Sequence, residues 1–224
     1  MTDEGGDRPP IRIFNRLLVG TSPSSVSLRS TPSPQRGEGF AFGKLGFMGA
    51  AMLLKILKYC DLNERMLMDV YAESNFENTD YFFPDEENKE LAVQKVEAGF
   101  LDFLKNEFFL QNEAAYWILE ENGVWYSALR TCKVLNGPYY LEALETRPDF
   151  RGEGYASLLL SNVLDALKEN GPFRICDCVS KKNTASLKVH EKCGFQIVSE
   201  EGYDYLQNEA DHHDFGLEYR YPAE

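Results

Sequence analysis

The chain has 224 residues, enough for one substantial domain with an extension, and its 43% hydrophobic and 13% aromatic residues can form a packed core. Its formal net charge of −13 argues against binding to nucleic acid, which needs a surface rich in lysine and arginine. The sequence contains no apolar run of the roughly 20 residues that a membrane-spanning helix requires. We therefore expect a soluble protein that binds neither nucleic acid nor membrane.

The first 51 residues differ in composition from the rest of the chain. They carry a net charge of +2, whereas the remainder carries −15. Residues 21–39 are dominated by Ser, Pro, Thr and Gly, which have little to bury, so we expect disorder there. The segment is Ser-rich like an organelle-targeting peptide, but its acidic opening, "MTDEGGD", argues against that role. We predict a dispensable extension over residues 1–51 and a folded domain over residues 52–224.

The folded part opens with a strand-like run, "MLLKILKY", and Asp61 with Glu64 has the spacing of a helix start. Helices are predicted over "ERMLMDVYAES" and over about residues 87–110. Residues 114–146 have the pattern of a three-stranded antiparallel meander, with hairpin signals at Asn122-Gly123 and Asn136-Gly137. A helix over 155–170, the strand "FRICDCVS", a helix over 183–193 and two final strands around a polar loop at 200–214 complete the order. This order predicts a mixed α+β fold.

The five cysteines suggest a reducing compartment. Their number is odd, they are scattered and no secretory leader precedes them, so we expect free thiols and a cytoplasmic protein. Cys176 and Cys178 are two apart on a predicted strand, which places both thiols on one face. This gap is unlike the usual zinc spacing, and the pair His212-His213 lies far along the chain, so we expect no metal site.

The motif "RGEG" occurs twice, at Arg36–Gly39 and at Arg151–Gly154. A phosphate-binding loop needs backbone N–H groups that converge on an anion at the start of a helix. The second copy lies between a predicted strand and a predicted helix, as this geometry requires. The first copy follows "STPSPQ" and precedes a glycine-broken run. We interpret the second copy as the anion-binding loop and the first as coincidence.

The segment around the second copy, "ETRPDFRGEGYASLLLSNVL", resembles the acyl-CoA-binding segment of the GNAT superfamily of N-acetyltransferases. The family pattern Arg/Gln-x-x-Gly-x-Gly/Ala is met by Arg151, Gly154 and Ala156. The resemblance covers about residues 52–222. It implies a GNAT-like fold, with a central, mostly antiparallel sheet of about six to seven strands flanked by four helices.

A second segment, "NTASLKVHEKCGF", is similar to another block of the same family. Asn183 and Ser186 match its first half, and the Gly-Phe pair at 194–195 matches its end. The chain departs from the pattern at His190, where relatives often carry tyrosine. This departure leaves open which residue acts as the general acid.

The resemblance implies an acyltransferase that moves an acetyl group from acetyl-CoA to a primary amine by direct attack in a ternary complex. Acetyl-CoA is then a co-substrate, and no metal is needed. The residues implied in binding it are Leu144 and Thr146, through their backbones, with Arg151, Gly152, Glu153, Gly154, Tyr155, Ala156, Asn183 and Ser186.

Three residues are candidates for proton transfer. Strand alternation places Glu142 on one face and Glu145 on the other, although a bulge would change this. Glu142 is the leading candidate for the base and Glu145 the second, with bulk water as the alternative to both. His190 lies within about 20° of Asn183 on one helix face, so it could point toward the sulfur as an acid. A histidine that only packs at the helix end is the competing interpretation.

Two other functions and the nature of the acceptor stay open. A binding sensor for acyl-CoA without turnover would keep the glycine loop and need neither glutamate, and an unrelated α+β interaction module would need none of these residues. The acceptor could be a small-molecule or a peptide amine. The helices and the late loop, at about 63–110 and 200–214, would select it, with the aromatic and acidic stretch Tyr81–Glu87 as one candidate surface. A homodimer is also open.

Overall fold

The computed structural model describes residues 51–222, and the first RGEG copy lies outside them. Seven strands form one sheet in the order β1-β2-β3-β4-β5-β9-β6, in which only β4 and β5 run parallel. A separate hairpin, β7–β8, lies between β6 and β9 in the chain. The strand bounds are β1 Met52–Ile56, β2 Ala115–Glu121, β3 Val124–Lys133, β4 Tyr139–Thr146, β5 Phe173–Ser180, β6 Gln196–Ser199, β7 Gly202–Asp204, β8 Glu209–Asp211 and β9 Asp214–Tyr221.

The helices form a layer on each face of the sheet. α1 to α4 precede the meander, α5 connects β4 to β5, and α6 connects β5 to β6. Three short 3₁₀ helices cover 59–61, 108–110 and 148–150. The helix bounds are α1 Glu64–Val70, α2 Ala72–Glu77, α3 Thr79–Phe82, α4 Lys89–Asn106, α5 Tyr155–Lys168 and α6 Thr184–Lys192.

Apolar side chains fill both faces of the sheet. One cluster packs the first helices on the sheet, with Leu67, Phe100 and Phe103 each at most 2% exposed. The other packs α5 on the opposite face, with Leu160 and Val163 fully buried. The central strands are therefore covered on both sides, which explains the nearly continuous apolar run of β2.

The predicted mixed α+β fold and the mostly antiparallel sheet are confirmed, but three local predictions were wrong. The first helix begins after Asn63, whose side chain accepts from the Met66 N–H, and not after Asp61. The helical region also breaks at Tyr71 and again at Asn78, which gives three short helices. At Tyr71 the backbone turns away from helical geometry, and the Tyr71 hydroxyl reaches the backbone of β4. The predicted polar loop at 200–214 contains the hairpin β7–β8.

The centre of β4 departs from a regular strand. Ala143 has a φ of 54°, and the pairing with β3 shifts between Ala128 and Arg130, which marks a bulge. The Tyr71 hydroxyl donates to the Ala143 carbonyl at 2.5 Å and holds the bulge in place. Two residues of β4 pair with β5, Tyr139 with Ile175 and Tyr140 with Cys176. Beyond these pairs the two strands diverge and open the sheet.

Candidate active site

A cavity of about 710 Å³ lies where β4 and β5 separate. Its walls are formed by the C-terminal halves of β4 and β5, the glycine loop, and the N-terminal ends of α5 and α6. Residues of α2 close the opposite side. Ten of the thirteen residues predicted for the site line this cavity: Leu144, Glu145, Thr146, Arg151, Gly152, Gly154, Tyr155, Ala156, Asn183 and Ser186.

The glycine loop has the backbone shape that its sequence predicts. Gly152 and Gly154 have φ values of 81° and 90°, a region that side chains disfavour, and nothing lies within 4 Å of a Cβ built at either residue. Gly154 is the N-cap of α5, and the first N–H groups of a helix have no intrahelical partners. The N-terminal end of α5 therefore presents N–H groups and a positive dipole end to the cavity, as anion binding requires. Glu153 is exposed and does not line the cavity.

Arg151 ties the loop to the opposite wall. Its Nε donates to the Thr146 carbonyl at 3.1 Å, and its Nη2 lies 2.7 Å from Glu145 Oε1. Its Nη1 pairs with Glu73 of α2. The carboxylates of Glu145 and Glu73 lie on the side of the cavity opposite α5 and α6. Arg151 therefore links the glycine loop to that opposite wall.

Glu145 faces the cavity with a side chain that is 24% exposed. Burial raises its pKa to about 7, and the charge of Glu77 adds to the rise, whereas a hydrogen bond from the Thr146 backbone opposes it. The contact with Arg151 also favours the charged form. A carboxyl group with a pKa near neutral suits a general base.

Glu142, the leading candidate for the base in the sequence, does not line the cavity. It is fully buried, and its Oε2 lies 3.1 Å from Nε of Arg130, which is also fully buried. The predicted faces were wrong, because the bulge at Ala143 breaks the alternation. Glu142 and Glu145 stand opposite Arg130 and Ala128, so both glutamates point to the face of the first helices.

His190 is also fully buried and does not line the cavity. Its Nδ1 lies 2.8 Å from the Ser186 carbonyl oxygen, and its Nε2 lies 2.7 Å from Asp177 Oδ2. Asp177 lines the cavity, and sequence reasoning did not single it out. The signal available was a carboxylate in the middle of an otherwise apolar run, "ICDCV", in a buried strand.

The start of α6 is shaped by its own capping. The Asn183 side chain accepts from the Ser186 N–H at 3.0 Å, which fixes the first turn beside the cavity. Lys182 precedes it and adds a cation to the wall. Sequence reasoning also missed Lys182, together with Glu73, Glu77 and Asn78 from the other wall.

Other predicted features lie elsewhere. The stretch Tyr81–Glu87 contributes nothing to the cavity wall, and Phe82 and Phe83 pack with Val96 of α4. Cys176 and Cys178 share one face and one core cluster, as their spacing predicted. At the end of β8 and in the turn that follows it, Asp211, His212 and His213 bring ligand atoms within 4.8 Å of one another. Among the described helices, none combines the length and the apolar character needed to cross a bilayer.

The split sheet, the glycine loop at a helix start and the neighbouring carboxylate define an acyl-CoA-dependent N-acetyltransferase. The family model described as "Acetyltransferase (GNAT) family" matches residues 67–195, more than half of the chain. The chain belongs to this family, which confirms the resemblance seen in its sequence. The interaction module is thereby excluded.

Several solved structures are similar to this chain at low identity. A PaiA N-acetyltransferase from Thermoplasma acidophilum, solved with coenzyme A, is 16% identical with a TM-score of 0.49, over 76% of this chain and 99% of that one. A GNAT acetyltransferase from Bacillus anthracis is 17% identical with a TM-score of 0.48, over 76% and 96%. A spermidine N-acetyltransferase from Vibrio cholerae is 15% identical with a TM-score of 0.47, over 75% and 92%. Comparison with curated protein sequences finds no significant match.

Proposed function

We propose that this protein transfers the acetyl group of acetyl-CoA to a primary amine by direct attack while both substrates are bound. The observation that carries the proposal is that one cavity joins the glycine loop to the carboxylate of Glu145. Holding two reactants in one site makes their reaction effectively unimolecular, which supplies several kcal/mol of the barrier reduction. The acceptor is a small-molecule or peptide amine. The five free cysteines support a reducing, cytoplasmic location.

The proposed place for acetyl-CoA follows from the polarity of the walls. Its diphosphate binds the N–H groups at the start of α5, with Lys182 and Arg151 as the nearby cations. Its pantetheine arm runs along β4 beyond Tyr140, where β5 no longer pairs with that strand. Backbone groups around Leu144 are then available to the arm, and the Asn183 turn lies on its other side.

Glu145 is the proposed base. An amine attacks the thioester only as the neutral species, so a proton must leave its nitrogen, and Glu145 accepts it in this proposal. The pKa of about 7 allows this carboxyl group to accept a proton near neutral pH. Glu142 is unsuited to act as the base because its carboxylate is buried and paired with Arg130. The acceptor enters from the side of Glu73 and Glu77, whose charges favour a cationic amine over an anionic one.

The test is the pH profile of Glu145→Gln with a panel of primary amines. The affinity for acetyl-CoA should hold while turnover falls by roughly 10²-fold or more, the usual scale for a positioned base. The wild-type kcat/KM should rise through about pH 7, and the variant should lose this step because no carboxyl group remains to titrate. The deficit should shrink at high pH, where the amine arrives already deprotonated.

Glu73→Gln is the matched control, because Glu73 also pairs with Arg151 but lies on α2. It should keep the pH profile of the wild type. An equal loss of turnover in Glu145→Gln and Glu73→Gln would show that the contacts with Arg151 are responsible for the loss and that Glu145 is not the base. Stabilisation by acetyl-CoA without thiol release from any amine would favour the sensor without turnover.

A further inference from the structure

A buried carboxylate and imidazole meet at the point where the sheet opens. Asp177 is the first residue of β5 beyond its last pair with β4, and it lines the cavity although the residue is only 4% exposed. His190 lies behind it on α6, with Phe195 packed edge-on at 5.0 Å between ring centroids. His190 therefore reaches the cavity through its contacts with Asp177 and Ser186.

The contacts of His190 define where its protons are. The Ser186 carbonyl oxygen, 2.8 Å from Nδ1, can only accept, so Nδ1 carries a hydrogen. Nε2 and Asp177 Oδ2 are 2.7 Å apart, although the Nε2–H direction is not in line with that oxygen. The distance itself places the two atoms in ion-pair contact. This contact is a place where one further proton can be shared, by either the imidazole or the carboxyl group.

We propose that this pair supplies the proton that the departing thiolate of CoA takes up. In this inference, which rests on the acetyl transfer proposed above, Asp177 is the catalytic residue that touches the sulfur, and His190 is a positioning residue that holds the proton and orients the carboxyl group. The thioester must lie between the diverging strands to be within reach of an amine beside Glu145. Asp177 is on the other strand of the same opening.

The step balances in atoms and charge. The amine nitrogen forms a bond to the acetyl carbon and gives its proton to Glu145, and the C–S bond breaks with its electron pair on sulfur. The sulfur takes the shared proton, which leaves Asp177 as a carboxylate and His190 as a neutral ring with its hydrogen on Nδ1. Glu145 then releases a proton to water, and the pair regains one from water, so the enzyme returns to its starting state.

The surroundings favour retention of the shared proton. Burial raises the pKa of Asp177, although the contact with His190 opposes that rise. For His190, burial lowers the pKa, but the contacts with Asp177 and the Ser186 carbonyl outweigh burial, so its pKa is raised overall. The groups that face the pair are Cys178 beside it on β5, Tyr140 and Glu142 on β4, and Lys182 at the cavity wall. On β9, the partner of Asp177 is the uncharged Leu217.

The competing explanation is that the pair only fastens α6 to β5. The variant Asp177→Asn distinguishes a catalytic role of the pair from a purely structural one. Asp214→Asn is the matched control, since Asp214 is a buried carboxylate of β9 that does not line the cavity. We expect kcat of Asp177→Asn to fall by roughly 10²-fold, with the Kd of acetyl-CoA unchanged within about twofold. The wild-type kcat should decline at alkaline pH as the shared proton is lost, and this decline should be absent from Asp177→Asn.

A second measurement does not depend on turnover. Nitrogen NMR of His190 and carbon NMR of the Asp177 carboxyl group should together show one shared proton at pH 7, on Nε2 or on the carboxyl group, and addition of CoA should change the Nε2 signal. A neutral His190 ring beside an ionised Asp177 carboxyl group, or a ring that does not respond to CoA, overturns the proposal. So does an Asp177→Asn variant that keeps wild-type turnover, or one that loses acetyl-CoA affinity and thermal stability in step with kcat. If the wild type acetylates no amine while His190 behaves as expected, the fault lies in the proposed acetyl transfer.

Discussion

The two glutamates of β4 show how strongly surroundings determine the role of a side chain. Glu142 and Glu145 have the same chemistry and the same strand face, yet only Glu145 lines the cavity. Glu142 is paired with Arg130, whose guanidinium carbon lies 4.9 to 5.9 Å from the ring centres of three phenylalanines of the first core cluster. We therefore expect the carboxylate of Glu142 to contribute to stability rather than to contact substrate.

Glu142→Gln should therefore destabilise the fold. Removing one partner of a buried ion pair costs about 3–5 kcal/mol, because the remaining charge loses its compensation inside the protein. Urea denaturation should show this loss, while kcat per folded molecule should stay near the wild-type value. Glu145→Gln is the comparison, since its side chain is 24% exposed and its loss should be smaller. A Glu142→Gln variant with normal stability and little turnover would return the role of base to Glu142.

Sequence reasoning could find the candidate residues but could not rank them. The spacing of Glu142 and Glu145 suggested opposite faces, and only the bulge at Ala143 brings them to the same face. That bulge depends on Tyr71, 72 positions away in the chain, whose hydroxyl holds the Ala143 carbonyl. A contact between residues so distant in sequence leaves no local pattern. Asp177 was missed for the same reason, because its partner His190 belongs to another element.

At the scale of the element, the sequence was most informative where local chemistry decides the structure. The three-stranded meander and β5 lie where they were predicted, and α6 begins at the Asn183 cap. The sequence failed for short elements such as α2, α3 and the hairpin β7–β8, which have three to six residues each. So few residues carry no clear periodicity, and packing against neighbours determines them.

The loop before α5 allows a test of acetyl-CoA binding with a built-in control. Gly154→Ala places a methyl group at a φ of 90°, and Gly123→Ala does the same at a φ of 76° in the β2–β3 hairpin. Both should lose about 1–2 kcal/mol of stability from backbone strain. Only the methyl group at Gly154 points into the cavity wall where the diphosphate is proposed to bind.

The readout is the stabilisation by acetyl-CoA. At a hundred times the wild-type Kd, bound ligand adds about 2.7 kcal/mol, and a tenfold weaker variant retains about half of that. Gly123→Ala should keep the full increment, and Gly154→Ala should lose half or more of it. Equal increments in the two variants would contradict the assignment of the loop, whatever their stability without ligand.

At the scale of the whole molecule, stability comes from two clusters on the two faces of one sheet. β1 is an edge strand, paired with β2 through five residues. Ala51 and Leu53 pack against the cluster under α5, whereas Ile56 belongs to the cluster under the first helices. β1 begins at Met52, and the boundary predicted from composition, between residues 51 and 52, stays a prediction.

A truncation series tests that boundary. A chain that starts at Met52 should melt within about 2 °C of the full chain, because it keeps all of β1 and, of the described residues, loses only the partly buried Ala51. A chain that starts at Leu57 loses β1 and its pairing with β2, so several kcal/mol should disappear. For a protein of this size each kcal/mol corresponds to about 2–4 °C, so its melting temperature should fall by roughly 10 °C. If the chain that starts at Met52 also melts several degrees lower, residues 1–51 contribute to the fold and the first RGEG copy becomes a candidate for the anion site again.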